Sequence, residues 1–307
     1  MTSHASFEDQ AKSLGADPAG SADSVFPSGR PPSVPAFRRT RAWTSIGSHS
    51  FVDFISFVHI ALMPVIKQQA QLTDGQVAAA IATHVTCSGA IQPLAAWIGD
   101  RFDQRIIGAI GVLAAGLGVG GLMWATSFEM LLLLTLLTAG GVGAFHPPAA
   151  AAVGSLAAVS RGRWMSLFFV AGMLGGVLGN MYSPALHEAC GLQSMLWLLV
   201  PAVLVAGVLW AAIRRVPHRA HDAHDNHAAL SVAERRARWG SVWLLYAGNV
   251  VRFGVNNALI FLMIVLLERQ VLAAAGAESL TEELAKSASA INGKMQAAMQ
   301  IGMGGGG

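Results

Sequence analysis

The chain has 307 residues, of which 53% are hydrophobic and only 12% charged. A soluble domain carries about a quarter charged residues, so this balance excludes an ordinary water-soluble protein and implies apolar surface that water never meets. The formal net charge of +3 does not point to nucleic acid, because the basic residues are spread over alternate connections between apolar runs rather than gathered in one patch.

Residues 1–42 are rich in Ser, Pro, Gly and Ala and end on Arg38, Arg39 and Arg41. No apolar core precedes these arginines, so the stretch reads as a disordered cytoplasmic tail rather than a signal peptide. Apolar spans follow at about 43–66, 77–98, 106–125, 129–152, 164–186, 194–213 and 241–267, and an eighth starts near Ile291. Most are about 20 residues long, enough to cross a hydrocarbon layer of about 30 Å as helix. The fold class is therefore all-α and polytopic: a six-helix bundle over 43–213, a cytoplasmic linker over 214–240, and a partial second bundle over 241–307.

Orientation comes from charge. The connections after spans two, four and six carry Arg101 and Arg105, then Arg161 and Arg163, then Arg214, Arg215, Arg219, Arg235, Arg236 and Arg238. The opposite connections hold little beyond Lys67, Arg269 and Lys286. Positive residues stay inside, so the N-terminus is expected in the cytoplasm and the chain in the inner (plasma) membrane. Trp43, Trp97, Trp124, Trp164, Trp197, Trp210, Trp239 and Trp243 fall near the proposed helix ends, where amphipathic rings settle. Cys87 and Cys190 supply neither a disulfide framework nor a metal spacing.

In span one, His49 and Asp53 are four residues apart and share a helix face, which Ser56 extends. Asp53 is the one acid well inside a span, and a lone carboxylate at that depth is costly unless it is paired or protonated. It reads as a proton-loading or substrate-orienting group, or else as a structural hydrogen-bond partner of a neighbouring helix. His59 lies off that face and reads as a packing histidine. His84, with Cys87, Ser88 and Gln92 on adjacent turns of span two, reads as bonded to a neighbouring helix. In span seven, Asn249, Arg252 and Asn256 recur at three and four residues and share a face. Arg252 keeps its charge at physiological pH and needs an anionic substrate or a fixed ion pair, for which Asp53 is a candidate.

Span four holds Phe145-His146-Pro147-Pro148, an ionisable ring directly before two helix-breaking residues. The segment reads either as part of a site or as a bend supplied by the prolines, with the bend favoured. Gly172/Gly176 and Gly175/Gly179 in span five, like Gly116/Gly120 in span three, are small-xxx-small pairs that let helix backbones approach closely. The linker run from His218 to His227 is dense in imidazoles and carboxylates, but no spacing in it defines a metal geometry.

Two stretches carry a family resemblance. Ala96-Trp-Ile-Gly-Asp100-Arg101-Phe-Asp103-Gln104-Arg105 resembles the signature of the major facilitator superfamily in Asp100, Arg101 and Arg105. It departs from that signature at Ala96, Asp103 and Gln104. Phe145-His146-Pro147, followed by Arg161-Gly-Arg163 and the glycines of span five, is similar to the fosmidomycin-resistance-like branch of that superfamily. Asn180 stands where such helices often carry a proline.

The resemblance implies twelve helices in two pseudo-symmetric halves, with substrate held between them near the midplane. It makes Asp100, Arg101 and Arg105 a conformational latch, and a phosphonate-like anion a plausible substrate. The expectation is then a secondary transporter, proton-coupled and exporting a small molecule or drug, with the bilayer, the substrate and the proton as its partners. On this reading the chain is truncated after the start of the eighth helix. Two alternatives stand beside it: a non-transporting half-bundle assembled with a complementing polypeptide, and an organic-anion importer of the same fold. No nucleophile–base pair, metal motif or cofactor loop points to an enzyme or to a bound cofactor.

Overall fold

The computed structural model describes residues 36–101, 104–156, 160–214 and 231–305. Every regular element among them is helical. In chain order these are α1 (Ala36–Ala61), α2 (Met63–Gln69), α3 (Asp74–Arg101), α4 (Gln104–Gly120), α5 (Phe128–Leu156), α6 (Arg161–Cys190), α7 (Leu199–Ile213), α8 (Val232–Ala275) and α9 (Glu282–Gly305). Short 3₁₀ stretches, Gly121–Trp124 and Leu192–Leu198, follow α4 and precede α7. Among the described residues six helices are long and apolar enough to cross a membrane, or seven if α1 and α2 form one bent span. Apart from the carbonyls that prolines free, each such run satisfies its own backbone within the helix, as a bilayer requires.

α1 and α2 are bent by 50°, and the cause lies in the chain itself. Pro64 has no N–H, so the carbonyl of Ile60, four residues earlier, loses its helical donor. Asn292 of α9 supplies one instead: its Nδ2 donates to Ile60 O at 2.8 Å and to Ala61 O at 3.3 Å. By contrast, helix α5 runs unbroken from Phe128 to Leu156 through Pro147 and Pro148. The sequence pattern placed a break there; the sharp break falls at Leu62.

The glycine faces explain the packing. α1 lies along α6, with Gly175 against the Ser50 carbonyl and Gly179 against the Phe54 carbonyl, so closely that no Cβ fits at either position. Gly111 and Gly141 bring α4 against α5 in the same way, and Gly116 faces Ala202 of α7. Around these contacts lies a continuous buried core that includes Val52, Ile55, Phe145, Phe168 and Leu209.

α8 is different. Its N-terminus carries a reciprocal capping box between Ser231 and Glu234, and its C-terminus ends on Gly276 in the left-handed region (φ 61°). It touches α2, α3 and α9, and its buried residues are Ile260, Ile264, Leu267 and Glu268. The turns before Asn256 are exposed throughout.

The last helix begins at Glu282, well before the expected start near Ile291, with Thr281 Oγ1 accepting from the backbone N–H of Leu284. It is not among the helices long and apolar enough to cross a membrane. Its buried face mixes small apolar residues, Ala285, Ala288 and Ala297, with a polar stripe of Ser289, Asn292, Gln296 and Gln300. That stripe, at intervals of three and four residues, packs against α1, α2 and α6.

Candidate functional site

Three helices bring the central cluster together. α1 contributes His49 and Asp53 from one face, and α5 contributes His146 from 97 residues away in sequence. α6 closes one side with Phe168 and Gly172. His49 lies flat on Phe168, with ring centroids 3.9 Å apart and planes 16° apart. Its Nδ1 is 2.7 Å from the Phe168 carbonyl. The His146 Nδ1 is 2.7 Å from the carbonyl of Val142, one turn earlier in α5.

A carbonyl oxygen can only accept, so in each ring Nδ1 carries the hydrogen and donates it. In the neutral ring Nε2 is then a bare lone pair. The two Nε2 atoms face each other at 3.1 Å. Asp53 stands beside both, with Oδ2 3.4 Å from His49 Nε2 and Oδ1 3.4 Å from His146 Nε2. Two lone pairs and a carboxylate in that arrangement repel one another. They become mutually attractive when one cation lies among them, and a single proton on either Nε2 serves.

The cluster is shielded but not sealed: the side chains of His49, Asp53 and His146 are 4%, 19% and 24% exposed. Gly172 is what makes room for it. A Cβ at that position would lie 2.5 Å from Asp53 Oδ2 and 2.6 Å from His49 Nε2. Further along α1, Ser56 Oγ and His84 Nε2 are 3.2 Å apart, joining α1 to α3. The buried His59 and His84 rings lie 4.4 Å apart by centroid. Thus His84 bonds to a neighbouring helix, with the His59 ring beside it.

A second polar network continues from the first along α6. Gly176, one turn after Gly172, faces Gln300 of α9, and Asn180 Nδ2 donates to Gln300 Oε1 at 3.2 Å. Pro184 leaves the Asn180 carbonyl without its helical donor, and Gly293 of α9 lies directly against that carbonyl. In the sequence Asn180 stands out only as a departure from a family proline, and Gln296 and Gln300 do not stand out at all. The signal was present in the run of amides Asn292, Gln296 and Gln300, four residues apart.

Asn249, Arg252 and Asn256 are not brought to the cluster. Asn249 and Arg252 are exposed and Asn256 is half-buried, and Asn249 Nδ2 donates within its own helix to Leu245 O at 3.0 Å. The ion pair of Arg252 with Asp53 is not formed, because α8 first buries a side chain at Ile260, two turns beyond Arg252, and the ion-pair partners of Asp53 are the histidines.

Of the sequence-predicted latch, Arg101 lies at the end of α3 with its guanidinium 3.9 Å from the centre of the Trp97 ring. The side chains of Asp100 and Arg105 lie outside the described residues, as do Asp103 and the His218–His227 run. At the other end of α3, Lys67 of α2 donates to Asp74 at 2.6 Å and to the buried Glu268 of α8. This triad ties α8 to the preceding helices at the end opposite Arg101.

A multi-pass helical membrane protein with a partly buried imidazole–carboxylate cluster is the class these observations define. The family model of the Major Facilitator Superfamily matches residues 46–306, and the chain belongs to that family. It is 27% identical over 177 residues to the fosmidomycin resistance protein of Escherichia coli, an alignment covering 55% of this chain and 44% of that protein. It is 26% identical over 165 residues to YfnC of Bacillus subtilis, an uncharacterized transporter of the same superfamily, covering 53% of this chain and 40% of that protein. The matched region thus spans less than half the length of each of these curated relatives.

Proposed function

We propose that the protein acts as a secondary transporter of the inner membrane, N-terminus in the cytoplasm, that couples export of a small molecule to protonation of the His49–Asp53–His146 cluster. The observation that carries this reading is the pair of facing Nε2 atoms beside a carboxylate, which gives one added proton three partners at once. Protonated, the cluster is held together across α1 and α5. Deprotonated, it is a knot of repelling acceptors in a low-dielectric setting. Loading and releasing the proton therefore biases how α1 packs on α5, the kind of switch that alternating access requires. His84 of α3 acts on the same carboxylate electrostatically, Phe168 of α6 stacks on His49, and Gly172 lies against His49 and Asp53, so these are the groups that tune the cluster.

The named relative makes fosmidomycin the first substrate to test, and Arg252 suits a phosphonate-like anion by its bidentate geometry. Expression in a drug-sensitive bacterium should raise fosmidomycin resistance and give efflux that depends on the proton gradient. Asp53→Asn should remove the gradient dependence, and Arg252→Ala should raise the substrate concentration needed. Resistance and efflux indifferent to both substitutions would overturn the assignments. One observation favours a further reading, in which a complementing surface joins the chain: Asn249 and Arg252 are exposed amid apolar turns of α8, and polar groups at that depth call for polar neighbours. Cross-linking from position 249 to another polypeptide, or to a second copy, would support this, and labelling by lipid probes alone would not.

A further inference from the structure

We infer that the His49–Asp53–His146 cluster also binds a divalent transition-metal ion of the zinc class, in place of the shared proton. The inference rests on the same ring orientations as the proton reading, but it concerns coordination and stands on geometry. A zinc ligand imidazole normally offers one nitrogen to the metal and donates the other N–H to a carbonyl or carboxylate, which fixes its tautomer and aim. Both rings already do this, through Phe168 O and Val142 O at 2.7 Å each.

The spacing fits as well. With metal–nitrogen bonds of about 2.0–2.1 Å, two ligands of a tetrahedral ion stand about 3.3 Å apart. The Nε2–Nε2 separation is 3.1 Å, and each Nε2 has an Asp53 oxygen at 3.4 Å. One donor atom from each of the three residues lies within 4.8 Å of the other two. Two imidazoles and one carboxylate suit zinc, cobalt or nickel, whereas magnesium and calcium prefer sets built from oxygen.

Three protein ligands leave a fourth position for water or another ligand, and Asp53 and His146 are partly exposed. Gly172 lets the donors stand together: a Cβ there would lie 2.5 Å from Asp53 Oδ2 and 2.6 Å from His49 Nε2 and push them away. Because the ion replaces the proton held between the rings, its affinity falls as pH falls.

The test uses the full chain in detergent micelles, with His218, His221, His224 and His227 replaced by alanine so that the linker cannot bind the probe. Cobalt(II) is titrated and followed by visible absorption, in which a tetrahedral ion absorbs strongly and an octahedral one weakly. The expected result is one cobalt per chain with a tetrahedral spectrum, displaced by zinc but not by magnesium. His49→Ala and His146→Ala should each weaken binding by at least about tenfold, and His59→Ala should leave it unchanged. If the alanine variants do not fold, His49→Gln and His146→Gln take their place. No tetrahedral band in the parent, or a band indifferent to both ring substitutions, would overturn the inference. Absence of the band alongside transport that still needs Asp53 and a proton gradient removes the metal site alone. A tetrahedral band in a protein whose transport ignores the gradient removes the proton reading alone.

Discussion

Gly172 of α6 lies against both His49 and Asp53 of α1, and a methyl group at that position would fall 2.6 Å from His49 Nε2. Gly172→Ala is therefore expected to displace the imidazole rather than merely loosen a helix contact. Gly175 and Gly179, on the same helix, meet backbone carbonyls of Ser50 and Phe54, which cannot rotate away. Gly175→Ala should thus lower the thermal unfolding temperature more than Gly172→Ala does, while Gly172→Ala should abolish gradient-driven efflux at near-normal expression. Equal effects of the two substitutions on both readouts would contradict this division.

Asn292 substitutes for a donor that Pro64 lacks. Asn292→Leu strands the Ile60 carbonyl in the core of the α1–α2 bend, at an expected cost of about 1–3 kcal/mol. Restoring an N–H with Pro64→Ala should recover part of that loss, because the carbonyl regains its own helical partner. Thermal unfolding of the two single variants and the double variant gives the comparison. Strict additivity would show that the amide and the proline are not linked.

The Lys67 triad predicts an asymmetry. Lys67→Met leaves Glu268, only 5% exposed, without a cation, and should destabilise the fold by about 3 kcal/mol. Glu268→Gln leaves Lys67 paired with the more exposed Asp74 at 2.6 Å and should cost clearly less. The double variant Lys67→Met/Glu268→Gln should be more stable than Lys67→Met alone. Unfolding in micelles measures all three, and a larger loss for Glu268→Gln than for Lys67→Met would refute the assignment of roles.

Arg252 lies on a stretch of α8 whose residues are all exposed up to Val255. Arg252→Ala is therefore expected to change thermal stability by less than about 0.5 kcal/mol. Its effect should appear in substrate dependence instead, and a marked loss of stability would mean that the side chain has a structural partner.

The helices themselves were legible because a bilayer imposes long apolar runs, and the charge-bearing breaks between them stand out against that background. His49 and Asp53 could be paired from sequence since a spacing of four fixes a common face. His146 could not be joined to them, because its place depends on how α5 crosses α1. Two adjacent prolines also suggested a bend that the flanking turns absorb. The bend at Pro64 was hidden at the end of an otherwise regular apolar run. In place of the apolar span expected near Ile291 stands α9, whose buried face mixes alanines with the amides Asn292, Gln296 and Gln300, and the meaning of those amides appears only against the Ile60 carbonyl of α1 and the Asn180 side chain of α6. The Arg252–Asp53 ion pair rested on charge complementarity alone, and nothing in the spacing located α8 relative to α1.

The proposed sharing of one proton is most directly tested by nitrogen NMR of histidine-labelled protein, recorded across pH with a chelator present. The account predicts that at high pH the rings of His49 and His146 are both Nδ1–H tautomers with bare Nε2, and that on acidification the pair takes up one proton as a unit. That joint step should disappear in His146→Gln and shift in Asp53→Asn. Neutral rings bearing hydrogen on Nε2, or two histidines that titrate independently of each other and of Asp53, would contradict it.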